Sequence, residues 1–297
     1  MNRLVWDRDG VDWPHRARSR FVSAGGLRWH VQVFDCATVG CPDAVLLHGT
    51  GASTHSWRDV APALSSQFRV ISLDLPGHGF TDLPSADALS LPGMGAAVSA
   101  LLSVMGISPT LLAGHSAGAA VAAWIASSGR LSVPQLVGIN GAWLPFGGPA
   151  APWLSPATRW LAQSPGAARL FSTLAASPLV LDRLLAGTGS AIDAAGRRGY
   201  ATLVGSPGHV SAALGMMARW DLRELVPTLA RQMAQSSTRL QLIVGSRDLT
   251  VAPSQSAQLA RQVPGTRLDW LPGLGHLAHE EAPQEVAALI ASVTRSG

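Results

Sequence analysis

Residues 110–124 read Thr-Leu-Leu-Ala-Gly-His-Ser-Ala-Gly-Ala-Ala-Val-Ala-Ala-Trp: a short apolar run, a Gly-His-Ser-Ala-Gly turn, and a run of small residues. A buried strand over 110–114 that passes at once into a helix over 117–127 accounts for this pattern. Gly114 and Gly118 flank the turn, where a Cβ would obstruct the close approach of strand and helix. A serine at so sharp a turn is held in a strained backbone conformation, with its hydroxyl exposed and helix N–H groups beside it. Few architectures supply such a junction. A mostly parallel sheet with crossover helices supplies it at every strand.

The rest of the chain repeats the alternation. Residues 19–35 read as a hairpin around Gly25-Gly26. Further strands are expected at 44–47, 69–73, 135–139, 240–244 and 267–271. Helices are expected at 56–64, 91–105 (Ser90 as N-cap, Pro92 in the first turn), 254–262 and 283–293. Over 141–235 the alternation stops; that stretch holds four of the ten tryptophans and helical patterns with no clear strand between them. The reading is an α/β core from 1–140 and 236–297, with an N-terminal arm over 1–18 and a helical cap over 141–235.

Composition supports a folded chain that does not span a membrane. Hydrophobic residues make up 47% and charged residues 13% of the 297, enough for a large core and against disorder. From 88 to 158 only Arg130 is charged, but repeated Pro and Gly interrupt the run, and no stretch reaches the ~20 apolar residues of a span. All 22 basic residues are arginine. Residues 1–28 hold six Arg against three Asp, and 141–235 hold eight Arg against three Asp and one Glu; the remainder is net negative. Such patches fit an anionic partner or membrane surface, and ordinary solvated arginine accounts for them equally. Nucleic acid is not an expected partner, since zinc-finger spacing, a basic helix and an aromatic–basic RNA motif are all lacking. Cys36 and Cys41 make no metal or redox motif; two free thiols are expected, with pairing across the loop as the alternative. The first residues carry no apolar signal core, so a cytoplasmic protein is expected, at most peripheral to the inner membrane.

A serine hydroxyl needs a base to become a nucleophile. His276, in Gly273-Leu274-Gly275-His276, falls just past the last expected strand; His279 reads as a surface helix residue. Asp248, in Gly245-Ser246-Arg247-Asp248, follows strand 240–244 and is placed to orient an imidazole. An isolated Asp in a turn is usually a cap. Here Ser116, Asp248 and His276 come in that order, each just beyond a strand, as a Ser-His-Asp constellation requires. For the oxyanion, the backbone N–H groups of Ala117 and of Thr50, in His48-Gly49-Thr50-Gly51, are the expected donors, with His48 a packing and hydrogen-bonding residue. No metal or cofactor is expected.

The segments LLHGTGAS, DLPGHGFT, GHSAGA, VGSRDLTVAP and GHLAHEEAP occur in this order. Through them the chain resembles the α/β-hydrolase superfamily over residues 25–297. That resemblance implies an α/β-hydrolase fold: a mostly parallel sheet, helices on both faces, a helical cap, and hydrolysis of an ester or similar carbonyl. Serine at the turn, where the superfamily's dehalogenases and epoxide hydrolases carry a carboxylate, sets those two chemistries aside. WDRDGVDWPHRARSRFVSAGGLRWHVQ at 6–32, with LLHGTGASTHSWRD and DLPGHGFTDLP, further resembles the accessory hydrolases of magnesium chelatase in bacteriochlorophyll-forming bacteria. This implies a role near magnesium insertion into protoporphyrin IX, with chelatase subunits or a porphyrin as partners. The role is either hydrolysis of an apolar ester, a tetrapyrrole ester included, or a non-catalytic accessory function. Trp143, Trp153 and Trp220 are the candidate substrate contacts, because indole stacks on flat rings and neighbouring arginine forks onto carboxylates. Packing of cap helices onto the core is the other use of those rings. The apolar, aromatic stretch 143–160 also fits a peripheral membrane contact.

Overall fold

The computed structural model describes residues 2–38, 40–145 and 164–292. Eight strands make one sheet: β1 (Ser19–Ala24), β2 (Leu27–Phe34), β3 (Asp43–Leu47), β4 (Arg69–Leu73), β5 (Leu111–His115), β6 (Gln135–Ile139), β7 (Arg239–Gly245) and β8 (Arg267–Leu271). They lie in the order β1-β2-β4-β3-β5-β6-β7-β8. The β1–β2 hairpin turns at Gly25 and Gly26, both at positive φ as a two-residue turn of this hand requires. β2 meets β4 antiparallel, and every pair from β4 to β8 is parallel. β5 and β6 are buried along their whole length, which is why they read as unbroken apolar runs instead of alternating ones.

The helices are α1 (Trp6–Asp9), α2 (Val60–Leu64), α3 (Leu91–Val104), α4 (Ala117–Ser127), α5 (Pro165–Ala175), α6 (Pro178–Ala186), α7 (Ala194–Val204), α8 (Pro207–Arg219), α9 (Leu225–Met233), α10 (Ser254–Gln262), α11 (Ala278–Glu281) and α12 (Pro283–Ser292). They cover both faces. Leu101, Ala120, Val121 and Leu229 of α3, α4 and α9 belong to one core, while Leu64, Val286 and Ile290 of α2 and α12 belong to the other. Ser90 starts α3 by accepting the Gly93 N–H. Where α3 crosses α4, the Trp124 ring fills the space a side chain at Gly95 would need.

Between β6 and β7 the described residues form α5 to α9 and no strand. The last of these, α9, buries Leu225, Val226 and Leu229 in the same core as α3 and α4. The arm before β1 folds across core and cap together. Trp6 packs edge-on against Phe21 and Phe80, Trp13 clusters with Phe80 and the cap residue Leu203, and the Asn2 carbonyl accepts the Gly208 N–H of α8. Among the described residues no helix is long and apolar enough to cross a membrane.

One expectation about the cysteines is corrected. Cys36 and Cys41 are joined as a disulfide, their Cα atoms 6.2 Å apart, within the range such a bond spans.

Candidate active site

Ser116 stands between β5 and α4 with φ 51° and ψ −116°, the left-handed side of backbone space that a residue with a Cβ avoids. Its neighbours enforce this. A Cβ on Gly114 would lie 2.3 Å from the backbone of Gly118, and one on Gly118 would lie 2.2 Å from the Leu47 carbonyl oxygen. Only two residues without side chains let β5, α4 and the end of β3 meet this closely. The serine is therefore lifted out of both the strand and the helix, and it lines a cavity. Ala117 opens α4, so its N–H has no acceptor within the helix and points where negative charge is favoured.

The His276 Nδ1–H donates to Asp248 Oδ2 at 2.7 Å. The other carboxylate oxygen of Asp248 accepts the N–H groups of Thr250 and Val251, both at 2.8 Å. With both oxygens engaged, the carboxylate is fixed and so is the imidazole tautomer, leaving Nε2 as the basic nitrogen. The histidine loop is fastened from three sides. Its carbonyl accepts from Asn140 Nδ2 at 2.7 Å and from His115 Nε2 at 2.8 Å. Its N–H donates to the carbonyl of Thr188, in the cap, which also accepts from Leu249. A single cap carbonyl thus joins the acid loop to the base loop.

Asn140 escaped the sequence reading. It sits at φ 45° just after β6 and also accepts the Gly245 N–H, so it ties together the ends of β6, β7 and the histidine loop. The available signal was a polar turn residue at the carboxyl end of a central strand. His279 is corrected: it is not on the surface but fully buried, its ring against His115 and Trp57. Burial drives its pKa down to about 3 and pushes that of His115 far down too, so both rings pack as neutral groups around the base loop.

The cavity has two lobes that share Thr50, Ser116 and Met217. One, of about 400 Å³, runs past Met216 to Arg219, Trp220 and Arg223. The other, of about 320 Å³, contains His276 and is walled by Phe171, Leu185, Tyr200, Val210 and Leu277. Thr50 lines both lobes together with Ser116. Trp220 lines the first lobe with its indole N–H on the Leu89 carbonyl. Trp143 is corrected as a substrate contact: it has no exposed surface, fills the space over Gly138 and Gly141, and donates to Ser256. Trp153 and residues 146–160 of the aromatic stretch lie outside the described residues.

A buried charge cluster docks the cap beside the base loop. Arg58 pairs with Glu280 of α11 and, at 2.8 Å, with Asp193, the N-cap of α7. Tyr200, which lines the second lobe, donates to Glu280 at 2.8 Å. Desolvation outweighs these partners and pushes the Glu280 carboxyl up to about 7.

Residues 44–289 match the alpha/beta hydrolase family. The chain is 37% identical to the magnesium-chelatase 30 kDa subunit of Rhodobacter capsulatus over 94% of this chain and 95% of that one. The fold is similar to the enol-lactonase of Burkholderia xenovorans LB400, with TM-score 0.73 and 18% identity over 93% of this chain and 100% of that one. It is equally similar to the epoxide hydrolase CorEH, with TM-score 0.73 and 24% identity over 92% of this chain and 97% of that one. At such identities the two structures share the fold with this chain, and the chemistry has to be argued from the site.

Proposed function

The chain belongs to the alpha/beta hydrolase family, and on that footing we propose that it is a serine hydrolase whose Ser116 attacks the carbonyl carbon of an apolar ester. The observation that carries this reading is the 2.7 Å hydrogen bond from His276 to Asp248, made by an imidazole that shares its cavity with a serine raised on a strained turn. Because Nδ1 carries the proton held by Asp248, Nε2 is free to take the proton of Ser116 as its oxygen bonds to the carbonyl carbon. The electron pair displaced from the carbonyl comes to rest on its oxygen, facing the N–H groups of Thr50 and Ala117. Collapse of that intermediate breaks the ester C–O bond, and His276 returns its proton to the departing alkoxide. Water then enters by the same two steps and releases the acid.

The two lobes meeting at Ser116 suit an ester with an apolar body on one side and a group that Trp220 and Arg223 can hold on the other. The likeness to a magnesium-chelatase subunit supports placing the reaction in bacteriochlorophyll biosynthesis, near magnesium insertion into protoporphyrin IX. A tetrapyrrole ester is the proposed substrate and chelatase subunits are the proposed partners. A non-catalytic accessory role is the second reading, favoured by the subunit name that relative bears. The outer cap helices also leave Leu170, Leu174 and Leu179 more than half exposed, with Arg169 and Arg183 exposed on the same two helices. A peripheral contact with an anionic bilayer is proposed through them, and flotation with anionic liposomes tests it.

A fluorophosphonate probe should label the wild-type protein and not Ser116→Ala. In a strain lacking the gene, Ser116→Ala should fail to restore pigment while accumulating as stable protein. Pigment restored by the alanine variant overturns catalysis in favour of the accessory role.

A further inference from the structure

The turn that carries Thr50 is held by two buried imidazoles from different parts of the chain. The Ala52 N–H closes it onto the Gly49 carbonyl at 3.2 Å, with Gly51 at φ 74°. His48 Nδ1 donates to that same Gly49 carbonyl at 2.7 Å, and His209 Nε2 donates to the Gly51 carbonyl at 3.1 Å. Both tautomers are fixed by backbone. The Leu75 N–H donates to His48 Nε2 at 2.9 Å, and the Gly79 N–H donates to His209 Nδ1 at 3.0 Å, so each ring has its proton on the nitrogen facing the turn. In a trans peptide the C=O and N–H point in opposite directions. Fastening the Gly49 carbonyl inward therefore aims the Thr50 N–H outward. The other end of the turn depends on Gly51, which has no Cβ to restrict its rotation. There the side-chain restraint comes from the cap, because His209 lies in the first turn of α8.

We propose that His209 is a positioning residue for the oxyanion hole: by holding the Gly51 carbonyl it fixes the turn that aims the Thr50 N–H, so the hole is complete only when the cap is seated. This rests on the reading of Ser116 as a nucleophile. Burial supports it by drawing the pKa of His209 down to about 4, which keeps the ring neutral and able to accept from Gly79 while donating to Gly51. The seat is braced as well: Gly208, the residue before it on α8, donates to the Asn2 carbonyl of the N-terminal arm.

Two conservative variants separate the two bonds. The side-chain oxygen of asparagine stands where Nδ1 is, and the side-chain nitrogen of glutamine stands where Nε2 is. His209→Asn keeps the bond from Gly79 and loses the one to Gly51; His209→Gln does the reverse. With p-nitrophenyl butyrate as the probe ester, His209→Asn should lower kcat by roughly 10- to 100-fold with KM within about twofold, somewhat less than deletion of an oxyanion donor itself. Fluorophosphonate labelling should slow in proportion. His209→Gln should recover most of the lost rate. Equal losses in the two variants, a loss in KM alone, or no loss with asparagine each overturn the inference. Should His209→Asn not fold, His209→Leu, which fills the space without a polar atom, carries the same expectation, and a wild-type kcat in it overturns the inference. A wild-type protein that neither cleaves the ester nor takes the label brings down the hydrolase reading and this inference with it. A reactive wild type with indistinguishable asparagine and glutamine variants brings down this inference alone.

Discussion

Among the described residues a histidine is hydrogen-bonded to an aspartate twice. His276 meets Asp248 at 2.7 Å over the cavity, and His30 meets Asp74 at 2.8 Å inside the core. The second pair even has a serine: Ser19 Oγ lies 2.9 Å from His30 Nε2. Residue types and distances alone would accept both as catalytic. What separates them is everything around the three side chains. Ser19 has relaxed extended backbone at φ −75°, while Ser116 is forced to φ 51° at the mouth of a helix. The His30 and Asp74 side chains have no accessible surface, while Ser116 and His276 line the cavity. Asp74 accepts the N–H groups of Thr54 and Phe80, so it holds a loop to the strands as well as a ring. The Ser-His-Asp row in the core is thus a structural clamp, and what supports the proposed catalytic role of the other three residues is the strained turn, the helix N–H groups and the open space around them.

The largest expected difference is at the serines. Ser116→Ala should abolish fluorophosphonate labelling and lower ester turnover by about 10⁶-fold, while Ser19→Ala should stay within about twofold of wild type. Comparable losses in the two would break the contrast. At the acids the effects should cross. Asp248→Asn should lower kcat by about 10⁴-fold, since the imidazole loses its enforced tautomer, and cost about 1 kcal/mol of stability. Asp74→Asn should cost about 4 kcal/mol in denaturant unfolding, because it breaks a fully buried pair, while the folded fraction keeps its kcat.

The carboxyls should also move stability with pH in opposite senses. Burial opposes ionisation of Asp74, but the charge and hydrogen bond of His30, His48 nearby and the Phe80 N–H outweigh it and hold the group well below the usual range. Its contribution is present above the ordinary Asp value near 3.8 and is lost as pH falls through the folded value. Glu280 is raised from 4.5 to about 7, so between those values the folded protein keeps a proton that the unfolded chain has released. Stability should therefore fall by up to about 3 kcal/mol as pH rises through that window, and Glu280→Gln should flatten the slope. A wild-type unfolding free energy that is level across the window refutes this. The smallest effect is at the histidine loop. Asn140→Ala should lower kcat about tenfold by releasing the His276 carbonyl, with about 1 kcal/mol lost for the hydrogen bonds; an unchanged kcat would show that His115 and Thr188 suffice.

Much of the architecture was legible because it rests on local signals. Apolar runs ending in Gly-rich turns mark β3 to β7, and the hairpin turn, the N-cap at Ser90 and the strand-to-helix turn at Ser116 each declare themselves within a few residues. The relation between Asp248 and His276 was legible for a different reason: each follows a strand, and the strands of a parallel sheet deliver their ends to one side. What sequence could not give was set by contacts far apart in the chain. His30 on β2 and Asp74 just past its antiparallel neighbour β4 are 44 residues apart, and nothing local marks either as half of a pair. Trp143 looks like a cap aromatic until its space over Gly138 and Gly141 is seen. His279 reads locally as a surface helix residue; it does lie on a helix, α11, but on the side turned inward against Trp57 and His115.

The glycines at 114 and 118 have a consequence beyond the proposed reaction. The conformation at position 116 is imposed by its surroundings and owes little to the hydroxyl. The position is a socket: the scaffold supplies the posture and the occupant supplies the reactivity. A side chain of similar bulk could be exchanged there with little disturbance to strand or helix, so new reactivity can be tried without first rebuilding the frame. A lineage built on such a socket can change its trade one residue at a time while its architecture stays still.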